Sequence, residues 1–463
     1  MKRDLERLFK NQEYDKLHLK FLDLQKRKKI KRSEYILFAS YLRRISRPLE
    51  GVKLLNPIIR SEKLLELPTD LEKIEYASCL YRVGLRQESL KLLNECKKEH
   101  SQKILYKAFI NFSKWKYQEA SELLKYYLTL GQLSERDIFI GRLNLLSSEI
   151  FLERFSQATE LLDKCKKYAR DKKLKRYMGN LFELEGQIYF AKNKDKQARK
   201  SFDKATSFLV DGDKLGNLFA LKWKAILELT KDKKLYSLAL KTAKNLAHWE
   251  SVRSLQYYRA SKLQDKALLE QVYLGTPYQS FRDMIIAKNP EFHLNIHALD
   301  FQGKKYIFDR FKFEFSHQKR RKIKPFSLEG KLLSVLSEDY FRPMSGYQVF
   351  EKLYPNEFFI PKTSINKTHK VISRTIKKFR CIQNLKGAYS LKSTRVLYEK
   401  NGSPPSIYQL QIKEKFPQTF RTKQVCELFE LSHRQMTRVL KQLIDQEQLK
   451  LISAGRSSYY EWI

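Results

Sequence analysis

Glycine and proline are scarce in this chain, 15 and 12 in 463 residues. Over residues 1 to 285 they leave long stretches in which apolar residues recur at three- and four-residue spacing, the mark of helix after helix. Cysteine is scarcer still. Cys79, Cys96, Cys165, Cys381 and Cys426 are odd in number and none stands at CxxC spacing. That argues against a disulfide framework or a zinc site and leaves them as small buried hydrophobes. No apolar run approaches the ~20 residues that span a bilayer. The start, MKRDLERLFKNQEY, lacks the apolar core of a signal peptide, so the expectation is a cytoplasmic protein without membrane attachment. The glycines form no GxxxxGK or GxGxxG, the eight histidines form no HExxH, and no nucleophile motif is present. His293 and His297, four apart in a strand-like stretch, read as core or surface residues. No catalytic residue, metal or cofactor is expected.

Negative charge is also short. Asp and Glu number 52 against 92 Lys and Arg, a net charge of +40. Such a chain attracts polyanions, of which nucleic acid is the commonest; an acidic protein or membrane surface meets the same charge. The excess is densest per residue in the middle of the C-terminal half, around HQKRRKIK, His317 to Lys324.

In the helical region one twelve-residue step recurs between small or apolar positions: Ala39 to Gly51, Ala77 to Ser89, Ala108 to Ala120, Leu146 to Ala158 and Gly186 to Ala198. GVKLL, SLKLL, ASELL, ATELL and ARKSF begin at or beside the second positions. Paired antiparallel helices explain this. A small residue lets the partner helix approach, the following Leu-Leu or Phe fills the groove to the next pair, and stacked pairs bury one continuous core. The alternative is an irregular helical bundle. In LFELEGQIYFAKNKDKQARKSFDKA, the residues Phe182, Gly186, Tyr189, Ala198, Phe202 and Ala205 resemble the tetratricopeptide repeat in their spacing. That resemblance implies a groove for a protein or peptide partner.

Near residue 290 the texture changes. FHLNIHALD, KKYIFD and FKFEFS alternate like short strands. Three helices are expected next. Leu328, Leu332, Leu333, Val335 and Leu336 form the apolar side of the first, and Ser345 caps the second. The third runs from about Thr363, with Ile365, Thr368, Ile372, Ile376 and Phe379 as its buried stripe. Asn366, Lys367, Lys370, Arg374 and Lys377 lie on its other face. The hairpin CIQNLKGAYSL, with Lys386 near its tip, closes the unit. VISRTIKKF and IQNLKGAYSL are similar to the recognition helix and wing of the OmpR/PhoB-type winged-helix effector domains. Ile376 stands where that family has a second arginine, and the wing has the single glycine Gly387 before Tyr389. The resemblance implies DNA contacts from the third helix and the wing.

NGSPPS, residues 401–406, reads as a short stiff linker. After it come a helix stopped by Pro417, a helix capped by Thr422, a helix capped by Ser432, and two strands joined at Gly455. That order is the pattern of a second winged helix. Met436, Val439, Leu440, Leu443 and Ile444 form the buried stripe of its third helix. Arg434, Gln435, Arg438 and Lys441, with Arg456 at the hairpin tip, are the residues placed to meet bases and phosphates.

The expected fold is mainly α. An α-solenoid of tetratricopeptide-like hairpins over 1–285 precedes two tandem winged-helix (α+β) domains, 290–395 and 404–463. The expected function is a DNA-binding transcription regulator: double-stranded DNA is the main partner, and a protein or peptide docks on the repeats. The rival expectation is a non-enzymatic scaffold in which repeats and winged helices bind proteins. RNA is a third partner that the charge permits.

Overall fold

The structure is a computed structural model. It describes all residues except 1, 11–12, 28–29, 61–66, 132, 210–212, 311–312, 318–319, 325–326, 399–411, 414, 430–432, 446–447 and 455–456. The expected linker 401–406, the cap Ser432 and the hairpin tip Gly455–Arg456 lie outside the described residues. The chain divides into two compact units, 1–293 with 335–390, and 294–334 with 391–463. Residues of the expected 290–395 domain therefore fall in both.

In the first unit, 17 α-helices are described from Lys2–Lys10 to Gln279–Lys288. Sequence neighbours pair antiparallel, as in Tyr35–Arg44 with Pro48–Arg60 and Lys175–Ala191 with Asp195–Phe208. The first helices of successive pairs also pack on one another: Tyr35–Arg44 on Asp70–Val83, Glu135–Phe151 on Lys175–Ala191, and Lys175–Ala191 on Lys214–Leu227. This is a helical repeat region in which each pair completes the core of its neighbour.

The twelve-residue step joins the two helices of each pair. Ala108, Ala120, Leu146, Ala158 and Ala198 are fully buried. The Ser89 hydroxyl donates to the Ala77 carbonyl at 2.7 Å. A Cβ on Gly51 would lie 2.8 Å from Cys79 Sγ, and one on Gly186 would lie 2.3 Å from the Phe202 ring. Phe202 and Ala205 are fully buried, while Phe182 and Tyr189 are half-buried.

The connections explain how so few glycines suffice. Ser46, Gly84, Trp115, Glu153, Lys173, Asn193, Ala247 and Gln264 all occupy the left-handed region, from φ 51° at Ala247 to 102° at Gly84. The amide after each donates to the carbonyl five residues before it, as Arg154 to Glu149 at 2.9 Å and Leu174 to Ala169 at 2.8 Å. The next helix then begins at once. This closure satisfies the orphan carbonyls of the ending helix, and seven of the eight turns make it without glycine.

Residues 335–390 complete the first unit. Gly346–Leu353 is capped by Ser345, whose hydroxyl accepts from the Gln348 amide at 3.3 Å while Gln348 Oε1 accepts from the Ser345 amide at 2.9 Å. Pro361–Phe379 begins two residues before the expected start, because Pro361 occupies the first turn where its missing N–H is harmless. Strands Ile382–Leu385 and Ala388–Leu391 form the expected hairpin, and Met344–Ser345 pairs on its outer edge.

In the second unit a five-stranded sheet has the spatial order Ala298–Phe301, Thr394–Leu397, Tyr306–Asp309, Glu314–Ser316, Arg320–Lys322. Two expectations change here. The strand expected from Phe292 begins only at Ala298: Ala298 faces Leu397 and Phe301 faces Thr394, and the Tyr398 amide adds one bond to the His297 carbonyl at 2.7 Å. The Thr394–Leu397 strand itself was not expected. His293 and His297 are exposed and lie outside any strand.

The chain's last described segment forms its own core of Ile412, Phe420, Val425, Met436, Val439, Leu440, Leu443, Leu449 and Tyr460. Helices Thr422–Phe429 and His433–Asp445 precede the hairpin Leu449–Ala454 and Ser457–Trp462, and Thr419–Phe420 adds a third strand. Thr422 is the first helical residue rather than the cap, and the Arg421 amide is met by Gln424 Oε1 at 2.7 Å. All five cysteines are free thiols, four of them buried. Among the described residues no helix is long and apolar enough to cross a membrane.

Candidate nucleic-acid interface

Pro361–Phe379 separates its faces by residue type. Ser364, Thr368, Val371, Ile372, Thr375 and Phe379 are buried, while Ile365 and Ile376 of the expected stripe are half-buried. The threonines are tolerated inside because each hydroxyl donates to a carbonyl of its own helix: Thr368 to Ser364 at 2.9 Å and Thr375 to Val371 at 2.8 Å. On the other side Lys362, Asn366, Lys367, Lys370, Arg374 and Lys377 are all exposed. From Asn366 to Lys377 this stripe covers about 16 Å of helix axis.

Lys367 is held by the protein. Its ammonium meets Glu357 at 2.6 and 2.8 Å and lies 4.0 Å from the centre of the Tyr354 ring. Among the described residues Lys370 and Lys377 form no ion pair. Like charges one turn apart repel by a few tenths of a kcal/mol per pair.

The hairpin places a further cation. Lys386 (φ 54°) and Gly387 (φ 87°) form a two-residue turn with both residues left-handed, which matches the twist of the paired strands. Asn384 Oδ1 accepts from the Gly387 amide at 2.8 Å, fixing the turn with Lys386 exposed at the tip.

In the terminal helix His433–Asp445, Met436, Val439, Leu440 and Leu443 are buried and Ile444 is half-buried. Arg434 and Lys441 are exposed. The side chains of Gln435 and Arg438, and all of Arg456, lie outside the described part. The structure thus brings Asn366, Lys367, Lys370, Arg374, Lys377 and Lys386 together in the first unit, and places Arg434 and Lys441 on one helix of the second.

A set of buried charges that sequence reasoning missed fixes the position of Pro361–Phe379. Arg253 is fully buried, and one of its terminal nitrogens donates to both carboxylate oxygens of Asp339 at 2.6 Å. Its other terminal nitrogen reaches Glu250 at 2.5 Å. Glu250 also accepts from Trp115 Nε1 at 2.8 Å and from Arg342. Burial works to raise the Glu250 pKa, but Arg253 and Arg342 outweigh it and hold the carboxyl down at about 2. Glu351 reaches across to the helix Arg86–Glu95 and accepts from the Gln87 and Glu88 amides at 2.8 and 3.0 Å. It therefore caps that helix from outside. Glu88 returns the contact by accepting from the Phe359 amide at 2.9 Å. Arg60 pairs with Glu88 at 2.5 Å and stacks 3.9 Å from the Phe358 ring. The repeats thus hold Phe358 and Phe359, immediately before the cationic helix, and leave its charged face outward.

No protein-family model matches the chain, and no curated protein matches it. Among solved structures, the C-terminal part of the TPR repeat-containing protein from Cytophaga hutchinsonii is similar at 14% identity and a TM-score of 0.28. The match covers 55% of this chain and 96% of that one.

Proposed function

We propose that the chain is a DNA-binding transcription regulator. Its helical repeats, of tetratricopeptide type, dock a protein or peptide, and two winged-helix modules read double-stranded DNA. The observation that carries this reading is the exposed row Asn366, Lys370, Arg374 and Lys377 on a helix whose opposite side buries Ser364, Thr368, Val371, Ile372, Thr375 and Phe379. A phosphate backbone converts the repulsion within that row into attraction. Arg and Asn on the same face suit bidentate contacts to guanine and adenine edges, and Lys386 at the hairpin tip suits a phosphate. The order of elements supports the reading: strands, three helices with the cationic one last, then a hairpin. The terminal segment repeats the helix, helix, hairpin order with Arg434 and Lys441 outward.

The experiment is retention on mixed-sequence duplex DNA by the full chain and by Lys370→Glu/Arg374→Glu/Lys377→Glu. Loss of retention with an unchanged circular dichroism spectrum supports the reading. The scaffold reading has its own support in the buried contacts by which the repeats already hold residues 339–359. Unchanged DNA retention, with loss of a captured acidic protein, would favour the scaffold.

A further inference from the structure

The first helices of six successive pairs, from Asp70–Val83 to Trp249–Lys262, all contribute to one cavity of about 390 Å³. That volume lies in the range of small-ligand sites. Its walls are the rings of Tyr81, Phe112, Trp115, Tyr117, Phe151 and Phe219. Tyr117 stacks on Phe151 with centroids 4.2 Å apart, and Trp115 meets both edge-on. Such a lining receives an apolar body.

The polar side of the cavity holds Glu183, Lys222, His248 and Glu250, with Arg86 also lining it. Glu250 is saturated by Trp115, Arg253 and Arg342. Glu183 accepts from Gln187 Nε2 at 2.5 Å. His248 Nδ1 accepts from the Ser251 amide at 3.3 Å, and Arg86 donates to the Ser113 carbonyl at 3.5 Å. Lys222 differs from these. It is 9% exposed, lines the cavity, and makes no hydrogen bond or ion pair among the described residues. Its ammonium stands 4.6 Å from the Trp223 ring centre and 5.7 Å from that of Phe219. Its charge is balanced only through space by the Glu183 carboxylate, without direct contact, so an acceptor within hydrogen-bond reach of the ammonium gains a contact that the chain itself does not supply.

We propose that this cavity binds a monocarboxylate with an apolar or aromatic body, its carboxylate on Lys222 and its body against Tyr117, Phe151 and Phe219. A neutral ligand brings the ammonium no anionic acceptor. A dianion such as phosphate brings two charges toward Glu183 and Glu250, with Lys222 the one lysine in the lining to receive them. A free organic acid and the C-terminal residue of a peptide share the required chemistry. The proposal does not depend on the DNA-binding reading.

The test is calorimetric titration of the full chain with phenylacetate and hexanoate, with their primary amides, with inorganic phosphate, and with short peptides ending in phenylalanine whose C-terminus is free or amidated. Either acid, or the free peptide, is expected to bind at least tenfold more tightly than its amide, with phosphate silent. Acids binding alone assign the site to a free metabolite, and the free peptide binding alone assigns it to a chain end. Lys222→Met is expected to abolish the preference for acid over amide. Ser147→Trp, which fills the cavity and keeps Lys222, is expected to abolish binding altogether and serves where Lys222→Met does not fold. Equal affinity for acid and amide, an acid preference that survives Lys222→Met, or no binding by any carboxylate overturns the proposal.

Discussion

Replacing Asp339 tests how firmly residues 335–390 are held to the repeats. The carboxylate receives one terminal nitrogen of Arg253 on both oxygens at 2.6 Å and the Phe341 amide on one oxygen at 3.1 Å. Arg253 is 0% exposed, so Asp339→Ala leaves a guanidinium that water cannot reach, with Glu250 as its remaining partner. Breaking one side of such a buried pair costs about 3–5 kcal/mol. Arg253 also lies 4.8 Å from the Tyr278 ring and 5.8 Å from that of Phe341, so an unbranched apolar chain of similar length can occupy its place. Arg253→Met alone is expected to cost less than Asp339→Ala, since Asp339 keeps the Phe341 amide. Arg253→Met/Asp339→Leu is expected to recover most of the loss, since no charge is then stranded. Urea unfolding of the native chain, Arg253→Met, Asp339→Leu and their double variant gives the cycle, with Asp339→Ala measured beside it, and hydrogen exchange at 335–345 locates the effect. A single-variant loss under about 1 kcal/mol, or losses that simply add in the double variant, would refute this view of the pair.

Three further outcomes follow from the repeats. Gly186→Ala puts a Cβ 2.3 Å from the Phe202 ring, and a melting temperature lowered by the equivalent of about 1–3 kcal/mol is expected; an unchanged value contradicts the close approach. Lys173→Gly and Gln264→Gly relieve left-handed backbone at φ 54° and 52°. Each is expected to gain about 0.5–1 kcal/mol in urea unfolding, the left-handed penalty less glycine's entropy. Burial, with Lys222 adding repulsion, pushes the His248 pKa down to about 4. The fold therefore holds this histidine neutral, and its contribution is complete above pH 6.5 and lost as pH falls toward 4. The loss is about 3 kcal/mol. Burial raises the Glu183 carboxyl and works in the opposite direction over part of that range. The quantity to measure is therefore the difference between the native chain and His248→Gln at pH 7 and pH 4.5, and equal acid sensitivity of the two refutes the assignment.

The helical pairing was legible because it is local. A small residue twelve positions before another is a contact within one hairpin, and Ala108–Ala120 and Gly186–Ala198 could be read without knowing anything distant. The stripe Met436, Val439, Leu440 and Leu443 and the cap at Ser345 were legible for the same reason. The cationic face of Pro361–Phe379 followed from its buried face by elimination. What stayed hidden depends on partners far along the chain. Asp339 meets Arg253 from 86 residues away and Phe359 meets Glu88 from 271, and no periodicity marks either. Strand Thr394–Leu397 is four residues long, and its partner Ala298–Phe301 lies before the whole helical module. The left-handed turns escaped notice because lysine, glutamine and alanine occupy positions where glycine is the usual signal.

The central claim is that the outward face of Pro361–Phe379 meets phosphates. Its most direct test is the dependence of duplex-DNA affinity on salt, for the full chain and for Lys370→Ala/Arg374→Ala/Lys377→Ala. Each phosphate contact contributes about 0.9 to the slope of log K against log salt, so the triple variant is expected to lower a steep native slope by about 2.7. A flat native slope, or a variant whose slope equals the native one, contradicts the claim.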